Sequence, residues 1–76
     1  MQRYYFDTFN GVVIFDDEGV MMPDLASAQE EAKRLLAELV HRSAADKDET
    51  EFRADVRDET GRRVLTATLL LTLDRG

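Results

Sequence analysis

The stretch "RYYFDTFNGVVIF", residues 3–15, carries the strongest local signal in the chain. Asn10-Gly11 supplies the two residues that accept positive φ in a tight hairpin turn, and aromatic and β-branched runs flank it on both sides. With a two-residue loop, Phe9 faces Val12, Thr8 faces Val13 and Phe6 faces Phe15. One face of the hairpin then presents Tyr4, Phe6, Thr8, Val13 and Phe15, and the other presents Tyr5, Asp7, Phe9, Val12 and Ile14. Side chains alternate between the faces of a strand, and the second set contains a charge, so the first set is expected in the core.

Downstream, "PD" at residues 23–24 announces a helix with Asp24 as N-cap, and Ser27 with Glu30 forms a second possible capping box. At about 100° per residue, Leu25, Ala28, Ala32, Leu35, Leu36, Leu39 and Val40 fall within an arc of roughly 140°, the width of a helix that covers one side of a core. Only Gln29 intrudes. Glu30 with Arg34, and Glu38 with Arg42, stand in the favourable i, i+4 order on the wet side, and the helix should end near Arg42. Residues 43–50, "SAADKDET", have no periodicity and read as a solvated loop. Beyond them Phe52, Ala54 and Val56 alternate with Arg53, Asp55 and Arg57 as a half-buried strand. A final strand presents Leu65, Ala67, Leu69, Leu71 and Leu73 one way and Val64, Thr66, Thr68, Leu70 and Thr72 the other. A four-residue loop over 58–61 sets Ala54 against Leu65 and Phe52 against Ala67, which keeps apolar facing apolar. A three-residue loop breaks that parity unless a bulge restores it.

The expected fold is therefore α+β, in the order β-β-α-β-β: two antiparallel hairpins in a four-stranded sheet with one helix packed on one face, all in a single domain over residues 1–76. One helix covers one face only. The other holds Tyr5, Phe9, Val12, Ile14, Val64 and Leu70 among threonines, Arg53, Arg57 and Asp55, more apolar than a solvated face should be. The candidate interaction surface is accordingly Tyr5, Phe9, Val12, Ile14, Arg53, Arg57, Val64 and Leu70.

Bulk properties narrow the function classes. Seventy-six residues sit near the size at which one core stabilises a fold only marginally without disulfides, metal or self-association. Cysteine is absent, which removes disulfides and thiolate metal sites. The opening "MQRYYFDTF" lacks the basic flank and apolar core of a signal peptide, and no apolar run reaches about 18 residues, so the expected compartment is the cytoplasm and no membrane partner is expected. A formal charge of −6 argues against a non-specific polyanion binder, whose affinity needs clustered Lys and Arg. Residues 1–24 carry one basic and five acidic side chains and residues 51–76 five of each, so an anion site would sit in the last third.

The acidic run Asp16, Asp17 and Glu18 invites a calcium reading. An EF-hand loop needs ligands at positions 1, 3 and 5, glycine at 6 and a bidentate glutamate at 12. With Gly19 at position 6 the two end positions are Ile14 and Leu25, and with Gly61 there they are Val56 and Ala67, so both frames fail at their anchors. "DDEG" and "DETG" read instead as turns, in which Asp accepts local backbone hydrogen bonds and Gly takes the left-handed conformation. His41, the one histidine, falls in the polar arc near the helix C-terminus, where the helix dipole favours it. Ser27 and Ser43 lack a visible base, and no nucleophile-elbow, P-loop or zincin spacing occurs. Neither catalysis nor a cofactor or metal is expected. Protein interaction is the expected role, with a second copy of the chain as the simplest partner and a dimer as the simplest assembly. The alternative is a single-stranded nucleic-acid module that stacks bases on Tyr5 and Phe9 beside Arg53 and Arg57; Asp7 and Asp55 on that face weigh against it.

Taken together, "RYYFD", the "NG" turn, "DDEG", "PD", an alanine-rich helix, "VRDETGRRV" and a leucine-threonine strand resemble a family of short bacterial proteins known as a domain of unknown function. Its members share an aromatic opening of this type, a "D-E-G" turn and a "V-R-D-x-x-G" hairpin. The resemblance covers nearly the full chain and implies a stand-alone small domain in a bacterial cytoplasm. It brings no activity, cofactor or catalytic residue with it.

Overall fold

A computed structural model describes residues 1–42 and 49–74. Five strands and one helix follow in the order β1 (Gln2–Phe9), β2 (Val13–Ile14), β3 (Val20–Met22), α1 (Leu25–Arg42), β4 (Glu49–Arg57) and β5 (Arg63–Thr72). All pairings are antiparallel, and the sheet runs β2-β1-β4-β5, with β3 joined to the same edge of β1 as β2. Two hairpins and an intervening helix are thus present, and β1 and β4 form the seam between them. The difference from expectation is the second strand, which is split in two by residues 15–19. The expected loop over 43–50 lies outside the described residues except for Glu49 and Thr50, which belong to β4. Among the described residues no helix is long and apolar enough to cross a membrane.

Helix α1 starts as the sequence requires: the Asp24 carboxylate accepts the Ser27 N–H at 2.8 Å, which satisfies one of the orphan donors of the first turn. Ala28, Ala32 and Leu36, one turn apart in succession, are buried. They meet Tyr4, Phe6, Phe52, Ala54 and Val56 of the sheet in one core. Small residues on both layers let helix and sheet backbones approach closely, and Leu35, Leu39, Val40, Leu65 and Leu71 seal the margin. Leu25, expected in the apolar arc, is exposed. On the wet side Glu38 pairs with Arg42 as expected, whereas Arg34 bonds Glu31 at 2.7 Å and Glu38 at 2.9 Å, leaving Glu30 to Lys33 at 3.0 Å.

Both hairpin registers depart from the simplest reading. In the first, Phe9 pairs with Val13 and Thr8 with Ile14, so the loop is Asn10–Val12, one residue longer than an Asn-Gly turn requires. A one-residue slip moves every following side chain to the opposite face. Ile14 therefore lies on the helix side with Thr8, Val13 lies with Phe9, and Phe15, expected in the core, is 75% exposed. In the second hairpin the turn is Glu59–Gly61, closed by Asp58 N–H to Arg62 O at 2.9 Å and Gly61 N–H to Asp58 O at 3.0 Å. This is the shorter loop, not the four-residue one. A bulge between Val56 and Arg57 inserts Val64 as an extra residue and restores parity, so Ala54 faces Ala67 and Phe52 faces Leu69.

Gly19 and Gly61 both have positive φ, at 73° and 87°, but different surroundings. A Cβ at Gly19 would lie 2.8 Å from Arg3 Cγ and 3.0 Å from the Tyr4 carbonyl oxygen, whereas one at Gly61 meets nothing within 4 Å. Gly61→Ala should cost about 1 kcal/mol, the strain of the left-handed conformation alone, and Gly19→Ala roughly 2 to 3 kcal/mol because crowding adds to it. Urea unfolding of the two variants checks this; equal losses would mean that the Arg3 side chain yields freely.

Candidate interaction surfaces

On the sheet face away from the helix, Tyr5, Asp7 and Phe9 of β1 stand opposite Arg57, Asp55 and Arg53 of β4. Asp7 directly opposite Asp55 is a like-charge pair, which destabilises a sheet unless each charge is met elsewhere. Each is met by an arginine. Arg57 donates to both oxygens of Asp7, Nε to Oδ2 at 2.6 Å and Nη2 to Oδ1 at 3.1 Å. Arg53 Nε donates to Asp55 Oδ2 at 3.2 Å, and Thr66 Oγ1 of β5 donates to the other Asp55 oxygen at 2.7 Å. The same two guanidiniums lie over the aromatic rings, Arg57 5.0 Å from the Tyr5 centroid and Arg53 4.9 Å from that of Phe9, in cation–π geometry. The face is a closed ladder of satisfied charges, with Asp7 only 8% exposed at its centre.

Of the eight residues that the sequence groups as an interaction surface, Tyr5, Phe9, Arg53, Arg57 and Leu70 share this face. Three do not. Val12 sits in the first turn, Ile14 is turned to the helix side by the one-residue slip, and Val64 is the bulge residue and packs at the margin of the core. The apolar area expected here is smaller without them, and the exposed Leu70 stays on the face.

Asp16 of the acidic run is occupied by the backbone. Its Oδ2 accepts the Phe6 N–H at 3.0 Å, and its Oδ1 accepts those of Glu18 and Gly19, both at 3.1 Å. Its own N–H donates to Asp7 Oδ1 at 2.9 Å, and its carbonyl accepts from Arg57 Nη2 at 2.9 Å. Asp58 plays the equivalent part in the second turn, where its Oδ1 accepts from Thr60 and Arg62. His41 is exposed in the last turn of the helix. Among the described residues no group of three His, Asp or Glu side chains is placed to hold a metal.

Two other surfaces remain open. Among the described residues strand β5 pairs with β4 alone, so its far side is an edge ten residues long. From Val64 to Thr72 it contains no charge, proline or glycine, and Leu69 and Leu70 are exposed along it. The second surface is a groove of about 430 Å³ between α1 and the first hairpin. The uncharged run "VLTATLLLT" announces the edge in the sequence; the groove depends on the hairpin register and has no sequence signal.

Both central carboxyls sit below the usual carboxylate range. For Asp7 the Arg57 hydrogen bond is the main cause, and it outweighs burial. For Asp16 burial pushes upward and is overcome by the N–H groups of Phe6, Gly19 and Glu18. A carboxyl depressed in the folded state binds protons more readily in the unfolded chain. Its contribution is present above the unfolded pKa, about 4, and is lost as pH falls through the folded value. Stability by urea midpoint should be level from about pH 7 to pH 5 and decline below about pH 4. Asp7→Asn should lower stability near neutral pH by about 2 kcal/mol and flatten that acid limb. An unchanged acid limb in this variant would mean that Asp7 and Arg57 are paired in name only.

One family model, described as a domain of unknown function (DUF6894), matches residues 3–70. No curated protein and no solved structure matches the chain. With a match that spans nearly all of the sheet and the whole helix, this chain belongs to the DUF6894 family.

Proposed function

We propose that the chain is a small protein-interaction module that self-associates through the free edge of β5. The observation that carries this reading is the edge itself: a ten-residue strand with unpaired backbone groups along its far side, which after Arg63 has none of the charges, prolines or short lengths that blunt natural edges. Addition of a second β5 in antiparallel sense about a two-fold axis satisfies those groups on both copies at once. With the axis at Thr68, Ala67 meets Leu69 and Leu65 meets Leu71 on the helix side, and Arg62 stands opposite Asp74. Apolar meets apolar, and each end gains an ion pair.

Beside this edge lies a cleft of about 370 Å³ lined by Lys33, Leu36, Ala37, Ala67, Thr68 and Leu69. In the two-fold arrangement the Leu69 of a second copy stands across from Ala67, at its mouth. A core whose large, fully buried side chains among the described residues are Phe52 and Val56 also leaves a small domain with much to gain from association. The nucleic-acid alternative is weakened by the arginine ladder: Arg53 and Arg57 are committed to Asp55, Asp7 and the rings on which bases would stack.

Sedimentation velocity over a dilution series tests the reading. A dimer is expected, and Thr68→Lys, which sets like charges together on the axis at an exposed position, should shift it to monomer. Arg62→Asp or Asp74→Arg alone should weaken the dimer several-fold, and the two together should restore it. A monomer at every concentration, or a dimer indifferent to Thr68→Lys, would end the proposal.

A further inference from the structure

The helix lies over β4 and β5, reaches the first hairpin at β3 and buries Tyr4 and Phe6 of β1, but the helix-side face around Thr8 and Ile14 is left open. The groove of about 430 Å³ occupies that gap. Ile14, Phe15 and Val20 line it with exposures of 58%, 75% and 42%, a concentration of apolar surface that a small soluble domain rarely leaves bare. Every charged residue that lines it is acidic: Asp16, Asp17, Glu18 and Glu31. Two of the four are already engaged, Asp16 by backbone N–H groups and Glu31 by Arg34 at 2.7 and 2.9 Å. Asp17 and Glu18 form no ion pair among the described residues. Arg3, the nearest basic neighbour on β1, donates to the Glu18 carbonyl oxygen and not to its carboxylate.

We infer that this groove is a second docking site, which takes a short segment of another protein: a bulky apolar side chain flanked by Lys or Arg. The volume falls in the range of small-ligand pockets and has room for such an anchor. The charge of the rim fixes the sign of what flanks it, since unpaired acidic side chains beside an apolar floor favour a basic neighbour and penalise an acidic one. The mode is side-chain insertion and not strand addition. The sheet edge here is made of two- and three-residue strands interrupted by residues 15–19, and the Phe6 N–H is already taken by Asp16. The site goes beyond self-association, and it opens on the opposite edge of the sheet from β5.

Short random peptides displayed on phage and panned against the folded chain provide the test, with the most enriched peptide, labelled with fluorescein, as the probe for anisotropy titration. Enriched sequences should combine Leu or an aromatic with Lys or Arg. Affinity should fall roughly tenfold, about 1.4 kcal/mol, in Phe15→Ser and in Asp17→Lys with Glu18→Lys, all exposed positions whose circular dichroism should stay that of the parent. It should also weaken at high salt, and Thr68→Lys should leave it unchanged, which separates this site from the β5 edge. No enrichment, enrichment without basic residues, or affinity indifferent to Phe15→Ser would overturn the inference. So would self-association abolished by Phe15→Ser and untouched by Thr68→Lys, which would assign the groove to a second copy.

Discussion

The Phe6 amide is held by a carboxylate where a sheet would supply a carbonyl. Phe6 lies in the middle of β1, between the stretch that pairs with β3 and the stretch that pairs with β2, and opposite it the second strand has left the sheet. Asp16 fills the gap with its side chain, while its main-chain N–H and C=O bond to Asp7 and Arg57. One residue thus ties the interrupted edge to β1 and, through Arg57, to β4, fifty positions away from Asp7 in the chain. A half-buried amide without a partner costs about 1–3 kcal/mol, and a domain of this size has roughly 5 kcal/mol to lose. The first hairpin and the seam between the two hairpins therefore stand or fall on the same few hydrogen bonds.

That cluster also decides which surfaces are available. The core under the helix is small, with three alanines among Tyr4, Phe6, Leu36, Phe52 and Val56, so it buries little. The opposite face contributes by a different route, with Arg57 and Arg53 closing over Tyr5 and Phe9 while neutralising Asp7 and Asp55. Aromatic residues that would otherwise form a sticky sheet face become the platforms of two cation–π stacks. Surplus apolar surface is displaced to the margins, to the groove beside Phe15 and to the edge of β5.

Much of the fold is legible in the sequence, because each element carries its own local signal. Asp24 caps the helix, Ala28, Ala32 and Leu36 mark its buried stripe, and Phe52, Ala54 and Val56 give the inward face of β4 by simple alternation. What the residues do not announce is register. Asn10-Gly11 is compatible with the two-residue turn of highest prior probability and with the longer loop that forms; the choice is made downstream, where Asp16 must reach the Phe6 amide. That slip carries Ile14 to the helix side, leaves Phe15 exposed beyond the end of β2, and brings both to the groove. The bulge at Val64 acts in the opposite sense, preserving parity in the second hairpin although the turn is one residue shorter than expected. Three of the eight residues of the expected interaction surface leave it for these two reasons, and neither is visible in composition or periodicity.

The two edges of the sheet are treated in opposite ways, and the difference bears on how far association can proceed. At the β2 and β3 edge the strands are two and three residues long, the amide between them is capped by a carboxylate, and Pro23 follows at once. Such an edge offers no template to another strand. The β5 edge is long and regular over the residues that matter. Two open edges would let copies add head to tail without limit, the route to fibres, whereas one open edge admits only its own symmetric counterpart and then closes. On the proposed reading, the carboxylate plug that interrupts the first hairpin leaves strand pairing to the far side of the sheet, and an assembly built on β5 would terminate at two copies with the acidic grooves facing outward at either end.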